Sequence, residues 1–144
     1  VDQNETEAVL RDALVCRLAM VDGDGPYVVP MSFGYEDGVL YFHSGPTGRK
    51  MDVLRRDPRV CFEVDVDVEL RPSEKACKTG ISYRSVVGFG RAFFIEKPDE
   101  KRKALAVLMH QYAEGEFEFD DAQVARTTVF GVRIESMTGR QSGG

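Results

Sequence analysis

The sequence predicts a mainly β protein: a small antiparallel barrel of about six strands with three flanking helices. The first observation is a series of short apolar runs joined by tight turns. Asp22-Gly23-Asp24-Gly25 links runs 17–21 and 27–35, and Glu36-Asp37-Gly38 precedes run 39–44. Second, three later runs, 59–66, 83–95 and 127–137, also alternate or are rich in β-branched and aromatic residues. Third, the helical patterns do not alternate with strands as βαβ units would. An antiparallel sheet of this size is most simply completed by closing on itself.

Each element has a local reason. Residues 5–15 carry Ala8, Val9, Ala13 and Leu14 at helical spacing, with Thr6 or Asn4 available as a cap. Run 27–35 contains Pro30, which cannot donate to a ladder, so a bulge or an opening is expected there, with backbone free for a ligand. Run 39–44 ends in Gly45, Pro46 and Gly48, which turn the chain sharply. A helix over residues 48–56 follows and is stopped by Pro58. Residues 67–80 are polar and mixed in charge and read as a mobile loop. Gly88 and Gly90 give run 83–95 room to bend. Pro98 opens the longest helix, with Asp99 and Glu100 in its first turn and Ala104, Leu105, Val107, Leu108, Met109 and Tyr112 on its apolar side. Residues 115–123 form an acidic, aromatic-bearing connection. One domain is expected over residues 1–138, with a disordered tail over 139–144.

Composition limits the function classes. At 144 residues, with 42% hydrophobic and 30% charged residues, the chain is long enough for a real core. A formal net charge of −5 argues against general nucleic-acid binding but permits a local basic pocket. No apolar run is long enough to span a bilayer, and no signal peptide is visible. Cys16, Cys61 and Cys77 have neither zinc nor redox spacing, so no metal site is expected, and a cytoplasmic setting fits.

The stretch with most chemistry is Tyr41-Phe42-His43-Ser44-Gly45-Pro46-Thr47-Gly48-Arg49-Lys50. A strand that turns through glycines into a helix leaves N–H donors at the helix start, and the helix dipole favours an anion there. Arg49 adds a planar fork and Lys50 a point charge. The pattern suits a phosphate, although a basic pair in a first turn is often only solvated. It is not a Walker loop, since the glycine spacing and the Lys-Ser/Thr ending are absent. His43 has two readings, a proton carrier or a group that only hydrogen-bonds its surroundings. His110 is expected to be structural.

The order Pro26-Tyr27-Val28-Val29-Pro30-Met31-Ser32-Phe33, Leu40-Tyr41-Phe42-His43-Ser44, Gly48-Arg49-Lys50 and Tyr83-Arg84-Ser85-Val86-Val87-Gly88-Phe89-Gly90 resembles the pyridoxamine 5′-phosphate oxidase-like superfamily. Within it the chain is most similar to the nitroimidazole-resistance group. The resemblance implies a split β-barrel that binds FMN at a homodimer interface. It implies that Val29, Pro30, Met31 and Ser32 lie along the flavin ring, that Phe42, His43 and Ser44 continue the site, and that Arg49 and Lys50 hold the phosphate. Arg84, Ser85 and Val86 would reach that phosphate from the neighbouring protomer, and Tyr83 would pack on cofactor or substrate or fill the barrel mouth. Val29, Met31, Phe42 and Val86 are expected to be exposed together as the apolar interface.

Two departures argue against pyridoxamine oxidation. Gly48 stands where the oxidases have a serine, and the end, Glu135-Ser136-Met137-Thr138-Gly139-Arg140, has no histidine to grip the vitamin. The implied activity is FMN-dependent reduction of small electron-poor organic compounds, nitro-aromatics among them, with a separate electron donor. Competing readings are a non-catalytic FMN- or haem-binding module and a barrel for another ligand, such as a deazaflavin or nucleic acid, the last disfavoured by the charge balance.

Overall fold

The computed structural model describes residues 2–143. Helix α1 (Gln3–Asp12) is capped earlier than either expected residue, two positions before Asn4 and four before Thr6: the Glu5 N–H donates to Asp2 Oδ1 at 2.8 Å. Thr6 instead donates its hydroxyl to the Asp2 carbonyl. Strands β1 (Cys16–Asp22) and β2 (Gly25–Met31) make the expected hairpin, in register from Asp22 opposite Gly25 to Cys16 opposite Met31. Pro30 therefore makes no bulge. Strand β2 is an edge, and an edge strand needs ladder bonds on one side only.

The chain breaks away at Ser32-Phe33, so the run expected as one strand is two. Strand β3 (Gly34–Glu36) pairs with β4 (Val39–Ser44) at the far side of the sheet. Helix α2 (Arg49–Arg56) follows, then β5 (Arg59–Arg71), β6 (Gly80–Ile95), α3 (Pro98–His110), α4 (Asp121–Arg126) and β7 (Thr128–Ser142). The expected mobile loop over 67–80 is largely a hairpin arm of β5 and β6. Its register shifts between Val66 and Glu69, where Asp67 has φ 55, and a single 3-10 turn, Ala76–Lys78, closes it. Both faces of the arm are exposed, so it lacks the burial alternation that marks a strand in sequence. The expected loose tail is ladder too, with residues 139–142 paired to residues 83–86. Residue 144 lies outside the described residues. Helix α4 lies in the acidic connection and is capped by Asp120, whose Oδ1 accepts from the Gln123 N–H at 2.7 Å.

All seven strands form one antiparallel sheet in the order β2-β1-β5-β6-β7-β4-β3. Strands β2 and β3 are its two edges, yet only two residues join them. The sheet must therefore curl until its edges meet, which makes a barrel. Its interior holds Phe33, Phe42, Phe62 and Phe130, all fully buried, with the Phe42 and Phe130 rings stacked at 5.0 Å. Val9, Leu10 and Ala13 from α1, and Met51, Val53 and Leu54 from α2, join the same core. Helix α3 packs outside, so close to β3 that a Cβ on Gly34 would lie 2.6 Å from the Val107 carbonyl.

No ladder pairs the two edges with each other; the residues following α3 tie the β3 edge to α1 and to the segment before β1. The Phe33 N–H donates to Tyr112 Oη at 2.9 Å, and that hydroxyl donates to the Leu14 carbonyl at 2.8 Å. The Tyr35 N–H donates to Gln111 Oε1 at 3.3 Å. The Gln111 amide nitrogen donates to the carbonyls of Leu10, Arg11 and Ala13 at 2.8–3.0 Å. Gln111→Ala should cost roughly 2–3 kcal/mol in denaturant unfolding and Tyr112→Phe about 1–2 kcal/mol, because part-buried backbone groups lose their partners. Lys103→Ala, on the exposed face of α3, should stay within about 0.5 kcal/mol. If all three variants unfold at one midpoint, the tie carries no stability.

Candidate functional site

Helix α2 starts where β4 leaves the sheet, just beyond Ser44 opposite Thr128. Its N-cap is Gly48, at φ 135, a conformation that L side chains rarely adopt. Glycine brings no side chain to cap the helix, so the first-turn N–H groups receive no side-chain acceptor. Their partial positive charge is open to an anion.

Three cations of α2 differ in their partners, Arg49 and Lys50 in its first turn and Arg56 in its last. Lys50 is half-buried and makes no ion pair among the described residues. Arg49 is engaged: its Nε and Nη2 donate to Asp22 Oδ2 at 2.9 and 2.7 Å, and its guanidinium lies 4.0 Å over the Tyr27 ring. Arg56 donates to the other oxygen, Asp22 Oδ1, at 3.2 Å. His43 lies at the accessible end of β4, opposite Val129. Partial desolvation, and then the nearby Lys50 charge, hold its imidazole below the ordinary value of 6.5, so it is neutral at pH 7.

Arg84 and Ser85 lie elsewhere. Arg84 donates to Asp67 Oδ2 through Nε at 2.8 Å, and Ser85 is buried opposite Arg140. A cavity of about 110 Å³ joins Arg84, Ser85 and Arg140 to Thr6 and Val9 of α1. Met20 pairs with Val60 and Arg84 with Val66, six residues further along β5 and about 20 Å away by strand rise. Arg49 lies beyond Met20 in the opposite direction, beside Asp22. The two basic groups therefore occupy opposite ends of one barrel, and a single chain does not bring them to one phosphate.

The expected apolar face needs correction. Phe42 and Val86 are fully buried, Met31 is 8% exposed and Val29 packs against the core. Their side chains fill the barrel, leaving only backbone to face a ligand. The open apolar surface belongs to their neighbours one residue along: Val28 is 60% exposed, Val87 41% and Phe89 56%. Register sets Val28, Ala19, Cys61 and Phe89 in one row across four strands. The next row runs Pro30, Arg17, Glu63, Val87. There burial, and then the adjoining Asp65 carboxylate, push Glu63 up to about 7 against the pull of Arg17. Ser32 is exposed at the corner between the sheet edges, and Tyr83 is half-buried at the root of the arm.

Sequence reasoning did not find Asp22, Tyr27 or Arg140 beside these groups. Asp22 carried only a turn signal, Tyr27 was read as part of the return strand with no contact to Arg49, and Arg140 was assigned to the tail. Cys16 is fully buried, and burial pushes its thiol to about 12, so it is inert at neutral pH. Among the described residues no group of His, Cys, Asp and Glu converges as a metal cluster, and no helix is long and apolar enough to cross a membrane.

The family model described as pyridoxamine 5′-phosphate oxidase matches residues 2–141. A candidate 5-nitroimidazole antibiotic resistance protein from Bacteroides thetaiotaomicron has the same fold with a TM-score of 0.85. It is 35% identical, covering 96% of this chain and 82% of that one. A FAD-binding protein from Mesorhizobium loti superposes with a TM-score of 0.73 at 28% identity, covering 99% of this chain and 96% of its own. An uncharacterised Rhizobium meliloti protein is 31% identical over 64 residues, a match spanning 44% of this chain and only 42% of that protein. The near-complete family match and the 35% identity across almost the whole fold agree: the chain belongs to the pyridoxamine 5′-phosphate oxidase family and is related to its nitroimidazole-resistance-like members.

Proposed function

We propose that the chain binds FMN between two copies of itself and acts as a reductase of small electron-poor organic compounds, nitro-aromatics among them. The observation that carries this reading is the uncapped start of α2, with Lys50 unpaired beside it. That cradle fits one phosphate, which favours a flavin mononucleotide over a dinucleotide. The class of ligand and substrate is supported by the two solved relatives, one FAD-binding and one a candidate nitroimidazole-resistance protein.

Bound FMN would supply the electron-transfer chemistry. The chain's own residues bind and orient. Lys50 and the N–H groups of α2 hold the phosphate, and Arg49 adds its fork if released from Asp22. His43, neutral at pH 7, can accept a proton at one ring nitrogen or donate from the other. The outward row of Val28, Ala19, Cys61 and Phe89, with Val87 beside it, is the face on which a second copy docks. It is apolar, spans four strands and is continuous. Docking there would let Arg84 of the partner subunit approach a site that this chain's own Arg84 cannot reach.

An absorption spectrum of the purified protein should show flavin rather than haem. Flavin reduced by a nicotinamide donor should be reoxidised by a nitro-compound; flavin that reduces but never passes on electrons would leave only a binding module. Lys50→Ala should weaken FMN by about 1.5–3 kcal/mol and riboflavin hardly at all. Equal losses for both would remove the phosphate assignment. In the same variant the His43 titration, followed by NMR, should move up only part of the way to 6.5, because desolvation is the larger cause of its depression.

Assembly gives a separate test. Phe89→Asp should yield a folded monomer by light scattering, with FMN affinity lost along with the dimer. Glu63 adds a pH dependence. Its carboxyl holds a proton in the folded state up to about 7, against 4.5 for the free group. Stability should therefore fall as pH rises from about 4.5 to 7, since the folded state binds the extra proton in that window. Glu63→Gln should flatten that slope, and an unchanged slope would show that Glu63 does not titrate there.

A further inference from the structure

We propose that Asp22 is a built-in competitor of the ligand's phosphate: it occupies the Arg49 fork and must release it before that arginine can grip the anion. This rests on the reading of the α2 start as a phosphate cradle. Arg49 stands in the first turn of α2, yet its guanidinium turns away from the helix start to the β1–β2 turn. There Asp22 Oδ2 takes both Nε and Nη2, the edge that would otherwise present a two-pronged fork to a phosphate. Stacking over Tyr27 at 4.0 Å fixes the guanidinium plane in that pose. The second oxygen of Asp22 is held by Arg56 at 3.2 Å, so the carboxylate is anchored from both sides. The Asp22 side chain is 22% exposed, against 62% for Arg49 and 66% for Arg56. The carboxylate is the more buried partner, and both arginines reach it from the solvent side.

The consequence for recognition is specific. Lys50 is available to an anion without rearrangement, whereas Arg49 is recruited only by a ligand that outcompetes a carboxylate. A phosphate monoester dianion does so, because its three terminal oxygens can offer two to Arg49 while the third meets Lys50; a carboxylate, with two oxygens and one charge, does not. Arg56 remains on Asp22 after the exchange, so the carboxylate is not left unpaired. The arrangement selects terminal phosphate over weaker anions, and its cost is part of the affinity that Lys50 and Arg49 would give together.

The test compares FMN, riboflavin and inorganic phosphate on wild type and Asp22→Asn. The amide keeps the size and one acceptor but loses the charge. Asp22→Asn should tighten FMN about three- to tenfold, the worth of an exposed ion pair, and leave riboflavin unchanged. Inorganic phosphate, titrated directly against the flavin-free protein, should then bind the variant more tightly by a similar factor. Asp22→Ser should act in the same direction, in case the amide disturbs the turn. Side-chain NMR supplies a readout apart from affinity: the Arg49 Nε–H signal should shift on adding FMN while the Arg56 signal stays. FMN affinity that is unchanged, or selectively weakened, in both variants overturns the proposal, and weakening would make Asp22 a positioning residue for Arg49. A wild type that binds FMN and riboflavin equally overturns the phosphate cradle itself and the competitor with it. A wild type that prefers FMN, with variants that gain nothing, overturns the competitor alone.

Discussion

The fold depends on how an incomplete ring of strands is kept closed. Two residues connect the first and last strands of the sheet, so the edges are forced together, yet no ladder joins them. Unpaired backbone at that meeting would be costly to bury. On the β3 side Gln111 and Tyr112 meet that need: their side chains take up N–H groups of Phe33 and Tyr35 and serve carbonyls of Leu10, Arg11, Ala13 and Leu14 in and after α1. One glutamine amide thus fastens α1, β3 and the end of α3. The close approach of α3 to β3 at Gly34 is what brings these side chains within reach.

Closure also sets what each end of the barrel can do. Helix α1 fills one end with Val9, Leu10 and Ala13, and α2 fills the other with Met51, Val53 and Leu54. Both ends are plugged, so a ligand has no interior to enter and must lie on the outside, against strand ends and helix starts. The basic groups are divided in the same way, Arg49 and Lys50 at the α2 end and Arg84 with Arg140 at the α1 end. A site that uses both sets has to be assembled from two molecules. The separation along β5 leads to this more directly than any contact within the chain.

Much of the fold was legible because periodicity and turn chemistry are local. The hairpin at Asp22–Gly25 and the α2 start at Gly48 declare themselves through glycine and charge. What failed was face and extent. Val29 and Val86 were expected outside and Val28 and Val87 are there instead: in a strand flanked by apolar residues on both sides, alternation is nearly invisible, and a one-residue shift exchanges the faces. The end of β7 was hidden because Gly139 to Ser142 has no apolar pattern and gains order only by pairing with β6. Tyr112 was read as an apolar helix residue, whereas its hydroxyl is the part that the closure uses. Such long-range polar partners leave no trace at short sequence range.

The acidic balance of the chain and the proposed phosphate cradle are compatible for a physical reason. With a net charge of −5, most arginines near the barrel ends find a carboxylate: Arg17 with Asp65, Arg49 and Arg56 with Asp22, Arg59 with Asp57, Arg84 with Asp67. Each such pair is a modest interaction in solvent, and each reduces the long-range field that would draw polyanions without discrimination. Lys50 is left outside that pairing, in a place where its charge adds to helix N–H groups already aimed at the same point. An anion bound there would be held by local geometry rather than by overall attraction, and under the proposed exchange selectivity would pass to whichever ligand can also draw the paired arginines from their carboxylates. A small phosphate monoester on a planar body meets that condition better than an extended polyanion, because it needs one cradle and a flat neighbouring surface rather than a continuous basic track.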